Sequence, residues 1–480
     1  MKIAVVGSGT AGLAAAWALN SHSEHEVTLL EADDRWGGHA NTVDFNKPGS
    51  SFKQKTRVDT GFIVFNTVTY PNFLAFLQHM KIPYDASDMS FSVSRDRGLF
   101  EWAGGSLGQL FAQKMNLLNP GQWRMVWDIL RFNTGALELL RKGDEKESIG
   151  SYLAREGYSQ AFVDNYLLPM TAAIWSTPPD KAALDFPAFT LIRFMHNHHL
   201  LQILDRPTWL TIKEGSHSYV NRIIDSLPGE GCFRNSRIQS ASTKDSGKVE
   251  LVTEMGEAFE FDHVVFACHA DTTLKILERG EGITEQERKV LGGFEFSKNR
   301  AVLHSDPALM PQRRSTWSAW NYLTASDGPK ANVNTVSLTY WMNLLQSIPE
   351  ADFGPVLVTL NPPFEPKPEL VAKEYWYEHP LFSELSVRSQ GLLPTIQNKR
   401  GFTFAGAWTK YGFHEDGFAS GLRVANDYLS ATLPFPLRHA ERSLTTTPTD
   451  RLISVALPLP SLLGLAPLLI SLDLSTYRRL

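Results

Sequence analysis

Apolar residues recur with two different periods along the 480-residue chain. Ile3 to Val6 form a short unbroken apolar run rich in β-branched residues, as a strand covered on both faces requires, and Leu13 to Asn20 reads as a helix. Between them stands Gly7-Ser8-Gly9-Thr10-Ala11-Gly12, so the chain opens as strand, glycine turn and helix, with Glu26 to Leu30 as the next strand. Similar apolar runs return at Asp262 to Ala270 and, with a small-residue end, at Gly401 to Ala407. Elsewhere the period is helical. Tyr70-Pro71-Asn72-Phe73 opens an amphipathic helix towards Met80, and Trp123, Val126, Trp127, Leu130, Leu137 and Leu140 give helical spacing to the stretch from Leu107 to Leu140. Gly417, Gly421 and Ala425 repeat every four residues, which on a helix makes one face of small side chains that lets another backbone or a flat ring approach. Glu230 to Leu277 reads as a small set of strands, and Trp317, Trp320, Tyr322, Tyr340, Trp341 and Phe353 fall in strand-like segments of a second sheet. The fold class is therefore α/β: a Rossmann-like doubly wound domain interleaved with an α+β domain.

Charge and composition narrow the chemistry. Lys and Arg number 46 against 51 Asp and Glu, a net charge of −5 with no long run of one sign, which argues against a nucleic-acid partner. With 43% hydrophobic and 11% aromatic residues there is material for a large core and an aromatic-lined pocket. Cys232 and Cys268 are the only cysteines, too few for a disulfide framework or a cysteine-built zinc site. Met1 and Lys2 lead straight into the first strand, which leaves no room for a removable leader and predicts a cytoplasmic protein.

The glycine turn has a physical reading residue by residue. Gly7 permits the tight turn, Gly9 lets the amides with Thr10 and Ala11 approach a pyrophosphate, and Gly12 allows helix to pack on strand, with the anion at the helix N-terminus. Glu31 lies 19 residues beyond Gly12, where a carboxylate accepts ribose hydroxyls, and an acidic residue there favours FAD or NAD over NADP. Then follow Ala32 and Arg35-Trp36-Gly37-Gly38-His39-Ala40-Asn41-Thr42. Here the chain resembles the flavin-containing amine oxidase superfamily, whose Arg-x-Gly-Gly segment lies along the FAD pyrophosphate. The resemblance spans roughly residues 1 to 430. It is closest to an uncharacterised amine-oxidase-like branch often encoded beside cyclopropane fatty acid synthases, through Val58 to Asn66, Leu168 to Ser176 and Gly412 to Gly421.

The resemblance implies non-covalent FAD, because relatives with a cysteine-linked flavin carry that cysteine near the closing strand and none follows Cys268 here. It implies cofactor contacts at Arg35, Gly37, Gly38 and His39, at Gly61 beside the flavin ring, at Ile238 through its backbone, at Gly406 on the closing strand, and at Asp416 and Gly417 where a helix start faces the flavin. Asp416 also reads as a plain helix cap. The implied FAD domain comprises residues 1–90, 205–295 and 395–432, and the substrate domain 91–204 and 296–394. Many relatives place a lysine near flavin N5 on the strand entering the substrate domain; the matching inward position in Ser297 to Leu303 reads as Arg300, a poor base. Arg300, Tyr340 and Trp341 are the catalytic candidates. His196, His198 and His199 read as polar contacts beside the pocket rather than as metal ligands, and no metal is expected.

The expected function is an FAD-dependent oxidoreductase transferring hydride from an amine or similar small molecule to flavin N5, with oxygen or another acceptor reoxidising it. Two alternatives stand beside it: a desaturase or double-bond isomerase acting on a fatty acyl or isoprenoid lipid, and a non-catalytic flavin-binding protein in a complex. Residues 433–480 form a tail. Leu452 to Leu472 carries no charge over 21 residues, long enough for membrane contact, although Pro458, Pro460 and Pro467 interrupt it.

Overall fold

A computed structural model describes residues 1–48, 54–142, 147–175, 186–202, 206–327, 330–331 and 337–440, with the single positions 184, 442 and 444. The apolar segment 452–472 and the end of the motif at Ser176 lie outside the described residues.

Five parallel strands form the first sheet: β1 (Lys2–Val6), β2 (Glu26–Leu30), β3 (Cys232–Phe233), β4 (His263–Phe266) and β5 (Phe402–Phe404), in the order β3-β2-β1-β4-β5. This is the doubly wound order of dinucleotide-binding sheets, reversing direction beside β1. Every residue of β4 is buried, which is why the sequence there is apolar without alternation. Helix α1 (Thr10–His22) is buried from Ala11 to Leu19 and crosses helix α2 (His414–Arg423) at backbone distance. A Cβ on Gly421 would stand 2.0 Å from the Ala11 carbonyl oxygen, and one on Gly417 would stand 2.6 Å from Thr10 Cγ2. The small-residue stripe therefore meets another backbone.

The second sheet has seven strands, in the order Val371–Leu381, Glu295–His304, Leu357–Leu360, Ser337–Trp341, Trp320–Thr324, Phe91–Arg95 and Phe100–Ala103. Paired residues share a face, so the register sorts its side chains. Asn299 pairs with Tyr377, Ala301 with Tyr375 and Leu360, Leu360 with Leu338, and Leu338 with Tyr322. These residues, together with Tyr340, Val93 and Trp102, make up the inner face, against which the helices Pro120–Lys142 and Ala188–Asn197 complete one core.

Local breaks have identifiable causes. Pro169 lacks an N–H, and the helix before it widens to a π turn at Val163–Leu167. The carbonyl of Asn165, which the residue at 169 would otherwise bond, accepts Trp102 Nε1–H at 3.1 Å. The helical spacing from Leu107 resolves differently from expectation: Leu107–Leu110 and Lys114–Leu118 are separate short turns, and the long helix begins at Pro120, where Asn119 Oδ1 accepts the Gly121 N–H at 2.9 Å. Proline at a first helical position favours such a start. Trp317 and Phe353 likewise lie outside strands, next to a short turn and in a short helix.

Candidate functional site

The site is built around the glycine turn. Gly7 has φ +101°, the left-handed region, and a Cβ on Gly12 would stand 1.8 Å from the Gly7 carbonyl oxygen, so the turn closes directly on the helix. Gly9 is different: its Cβ would meet no protein atom within 4 Å. Helix α1 starts there with no side-chain cap and no acidic residue in its first turn. Its N-terminal amides therefore face open space with the helix dipole behind them, an arrangement that suits a phosphate.

Glu31, at the end of β2, leans over the turn. Its Oε2 accepts Ser8 N–H at 2.7 Å and Ser8 Oγ–H at 2.5 Å, and Oε1 accepts Asp33 N–H at 2.9 Å. A carboxylate has about four acceptor positions, so one remains for a hydroxyl. The following loop returns to the turn. Gly37 N–H donates to the Ser8 carbonyl at 3.1 Å, Arg35 Nη1 to the Gly38 carbonyl at 2.7 Å, and a Cβ on Gly38 would sit 3.1 Å from Gly9 Cα. Gly61 is required by the next contact, because its Cβ would stand 2.3 Å from the His39 carbonyl oxygen. Gly406 closes the far side through its N–H to Ser420 Oγ at 2.8 Å. Gly7, Gly9, Gly12, Gly37, Gly38, His39 and Gly61 are thus linked in one region, with Gly417 joined through Thr10.

Ile238 opens the strand Ile238–Thr243 with its side chain buried in the core, and the contact expected there runs through its backbone. The Asp416 carboxylate accepts Phe413 N–H at 3.0 Å, so it serves the start of α2, and burial raises its pKa to about 6. Arg300 requires a correction. The alternation along Glu295–His304 puts Asn299 inward and both Lys298 and Arg300 outward, where Arg300 binds Glu365 at 2.7 Å and Glu374 at 2.7 Å. Trp341 is also on the outer face, with the Arg314 guanidinium 4.5 Å from its ring centroid, whereas Tyr340 is buried on the inner face against Trp320.

The inward position carries a polar chain that the sequence reading missed. Asn361 Nδ2 donates to Asn299 Oδ1 at 2.7 Å, and Asn299 Nδ2 lies 2.9 Å from His379 Nδ1, so that nitrogen accepts and the imidazole proton resides on Nε2. The His379 ring meets the His39 ring edge-on at 5.3 Å, and Tyr377 lies 5.0 Å from His39. Tyr377 Oη accepts Asn41 Nδ2–H at 2.9 Å and bonds Thr60 Oγ1 at 2.6 Å, tying the second sheet to the segments that carry His39 and Gly61. Burial, then the neighbouring His379, depresses the pKa of His39, and burial lowers His379 to about 4, so both rings are neutral at pH 7. The alternation Tyr375-x-Tyr377-x-His379 was the available signal.

Two further residues support the start of α2. His414 stacks on Phe62 with centroids 3.6 Å apart and bonds Tyr219 Oη at 2.9 Å. Glu415 is buried, and its carboxyl accepts the N–H groups of Asn72 and Phe73 at 3.1 and 2.9 Å at the start of the helix Pro71–His79. His196, His198 and His199 do not share a helical face, because the helix ends at Asn197 and His199 has φ +58°. Among the described residues no group of three His, Cys, Asp or Glu side chains could hold a metal ion, and no helix is long and apolar enough to cross a membrane.

Comparison with known proteins gives the same outline. The family model described as flavin containing amine oxidoreductase matches residues 10–429. Cyclohexylamine oxidase from Brevibacterium oxydans superposes with a TM-score of 0.65 at 14% identity, covering 89% of this chain and 98% of that one. Putrescine oxidase bound to putrescine gives 0.62 at 14% identity over 90% and 99% of the two chains. A fatty acid isomerase from P. acnes that produces CLA gives 0.59 at 15% identity over 89% and 98%.

Proposed function

The chain belongs to the flavin-containing amine oxidoreductase family, and from that premise we propose that it holds FAD without a covalent bond and oxidises an organic amine or a similar small molecule. The observation that carries the cofactor assignment is the uncapped start of α1 facing open space at Gly9. Bound flavin supplies a hydride acceptor at N5 and passes its electrons to oxygen or another acceptor. The amides from Gly9 to Ala11 hold the pyrophosphate, the free acceptor position of Glu31 takes a ribose hydroxyl, and Arg35 braces the Gly38 carbonyl so that the loop keeps its course. The amides at the start of α2 present partial positive charge to the ring. Cys268 takes no part in linkage: it is half-buried beside Thr273, and desolvation pushes its thiol up to about 11.

Substrate binds against the inner face of the seven-stranded sheet near the loop that carries His39, where the half-buried Tyr375 and His379 flank Tyr377 and offer aromatic surface. Such surface suits an alkylammonium through cation–π contact or an apolar chain through burial. A second reading, desaturation or double-bond isomerisation of a fatty acyl or isoprenoid chain, is favoured by Asn299 standing where an inward cation was expected. One experiment separates the two. The purified protein should show a flavin spectrum, and acid precipitation should release the flavin to the supernatant; colour that stays with the pellet would overturn non-covalent binding. Anaerobic addition of aliphatic amines should then bleach the flavin. If amines leave the spectrum unchanged and unsaturated acyl lipids are isomerised without net bleaching, the second reading replaces the first.

A further inference from the structure

Four large apolar side chains stand in solvent at one tip of the substrate-side sheet. Leu99, Met115, Leu117 and Leu118 are 79%, 75%, 49% and 78% exposed. Leu99 is in the turn joining the strands Phe91–Arg95 and Phe100–Ala103, and the others are in the short turn Lys114–Leu118. Gln113 binds the two turns together: its Nε2–H donates to the carbonyls of Leu99 at 2.8 Å and Gly98 at 3.3 Å, and its Oε1 accepts Asn116 Nδ2–H at 3.2 Å. Trp123 Nε1–H donates to the Leu117 carbonyl at 2.9 Å and anchors the second turn to the long helix. The apolar side chains are thus displayed by a braced platform.

The charges around the tip are of one sign. Arg97 and Lys114 are exposed and have no ion-pair partner among the described residues; the Arg97 guanidinium lies 5.8 Å from the Phe364 ring centroid. The nearby acids are neutralised or withdrawn. Asp96 lies 3.8 Å from Arg95, and Glu101 is fully buried, accepting the N–H groups of Gln312 and Arg313 and the Arg313 guanidinium. From Ala103 to Trp127 the chain carries Lys114 and Arg124 and no acidic residue. Exposed leucine and methionine flanked by unpaired cations match the apolar interior and anionic headgroups of a bilayer surface together, whereas a water-facing loop gains nothing from them.

We propose that this tip docks the protein on the surface of an anionic lipid bilayer, with Leu99, Met115, Leu117 and Leu118 entering the headgroup boundary and Arg97 and Lys114 meeting lipid phosphate or carboxylate groups. The test is co-sedimentation of the full-length protein with phosphatidylcholine vesicles, with and without phosphatidylserine. Wild type should bind the anionic vesicles, more weakly as salt rises. The double substitution Leu117→Ser with Leu118→Ser should weaken that binding by about tenfold or more at unchanged thermal unfolding and flavin content, since both side chains are exposed. Lys114→Ala with Arg97→Ala should reduce the preference for phosphatidylserine about fivefold or more. Wild type that ignores both vesicle types would overturn the proposal. So would a Leu117/Leu118 variant that binds like wild type, which would place the contact elsewhere, including 452–472. A variant that changes only the oligomeric state would assign the tip to a second copy of the chain and overturn it as well.

Discussion

Gly9 at the start of α1 and Gly421 on α2, where it packs against α1, separate binding from folding. At Gly9 the backbone has φ −64° and ψ 179°, a conformation alanine adopts freely, and the added methyl meets no protein atom within 4 Å. Losing glycine at a helix cap costs a few tenths of a kcal/mol up to about 1, and the stiffer unfolded chain offsets about 0.4–1 kcal/mol. The flavin-free Gly9→Ala protein should therefore match wild type within about 0.5 kcal/mol. Its methyl projects where the pyrophosphate approaches, so flavin affinity should fall at least tenfold, about 1.4 kcal/mol. Gly421→Ala has the opposite signature. Its Cβ would stand 2.0 Å from Ala11 O and 3.0 Å from Ala15 N, so α1 and α2 must part by about an ångström, and overpacking of this kind costs about 1–3 kcal/mol. The assay is thermal unfolding of the flavin-free proteins beside flavin titration followed by fluorescence quenching. Unchanged flavin affinity in Gly9→Ala would refute the phosphate assignment, and a flavin-free Gly9→Ala protein as unstable as Gly421→Ala would refute the open cradle.

The remaining predictions concern charge and the inner face. Burial raises Glu415 from 4.5 to about 8, so its neutral form is favoured in the folded state, and its contribution to stability falls as pH rises through that window. Burial also lowers His198, His263, His304 and His379 from 6.5 to about 4 and His414 to about 3, and these groups cost stability as pH falls below 6.5. The thermal midpoint should peak near pH 6.5, and Glu415→Gln should flatten the limb from pH 6.5 to 8, worth about 2 kcal/mol; an unaltered limb in that variant would disprove the link. Asp59, buried and raised to about 6, accepts Thr42 Oγ1–H, Ser216 N–H and Gln346 Nε2–H, so Asp59→Ala should destabilise by about 3 kcal/mol or more, measured by thermal unfolding. Arg300→Ala should leave kcat within about twofold and stability within about 1 kcal/mol. Asn299→Ala, by freeing His379, should lower kcat about tenfold or more and shift the flavin potential; equal effects of the two substitutions would contradict the assignment of faces.

The parts of the fold legible in the sequence are those with a local physical cause. Gly7 and Gly12 are set by a turn and a close approach that the order strand, glycines, helix already implies, and four of the five parallel strands fall on segments that read as strands, the exception being the two-residue edge strand Cys232–Phe233. Parity along Ser297 to Leu303 was not legible, because Lys298, Asn299 and Arg300 are all polar and only the pairing of Asn299 with Tyr377 decides which points inward. Glu415 was equally opaque: next to Asp416 at a helix start it reads as a surface acid, and its burial depends on the helix that begins at Pro71. The stretch from Leu107 was legible only in part: the periodic positions from Trp123 to Leu140 lie in one helix, whereas Met115, Leu117 and Leu118, ahead of Pro120, face solvent.

The backbone contact between Ala11 and Gly421 spans almost the whole length of the chain. During synthesis the first strand, the glycine turn and α1 emerge hundreds of residues before β5 and α2, which supply the edge strand of the same sheet and the helix that packs on α1. Until they arrive, the alanine face of α1 has no partner. A chain truncated before residue 400 should therefore retain no flavin however well its N-terminal motif is formed, because α1 then lacks the helix that packs against it.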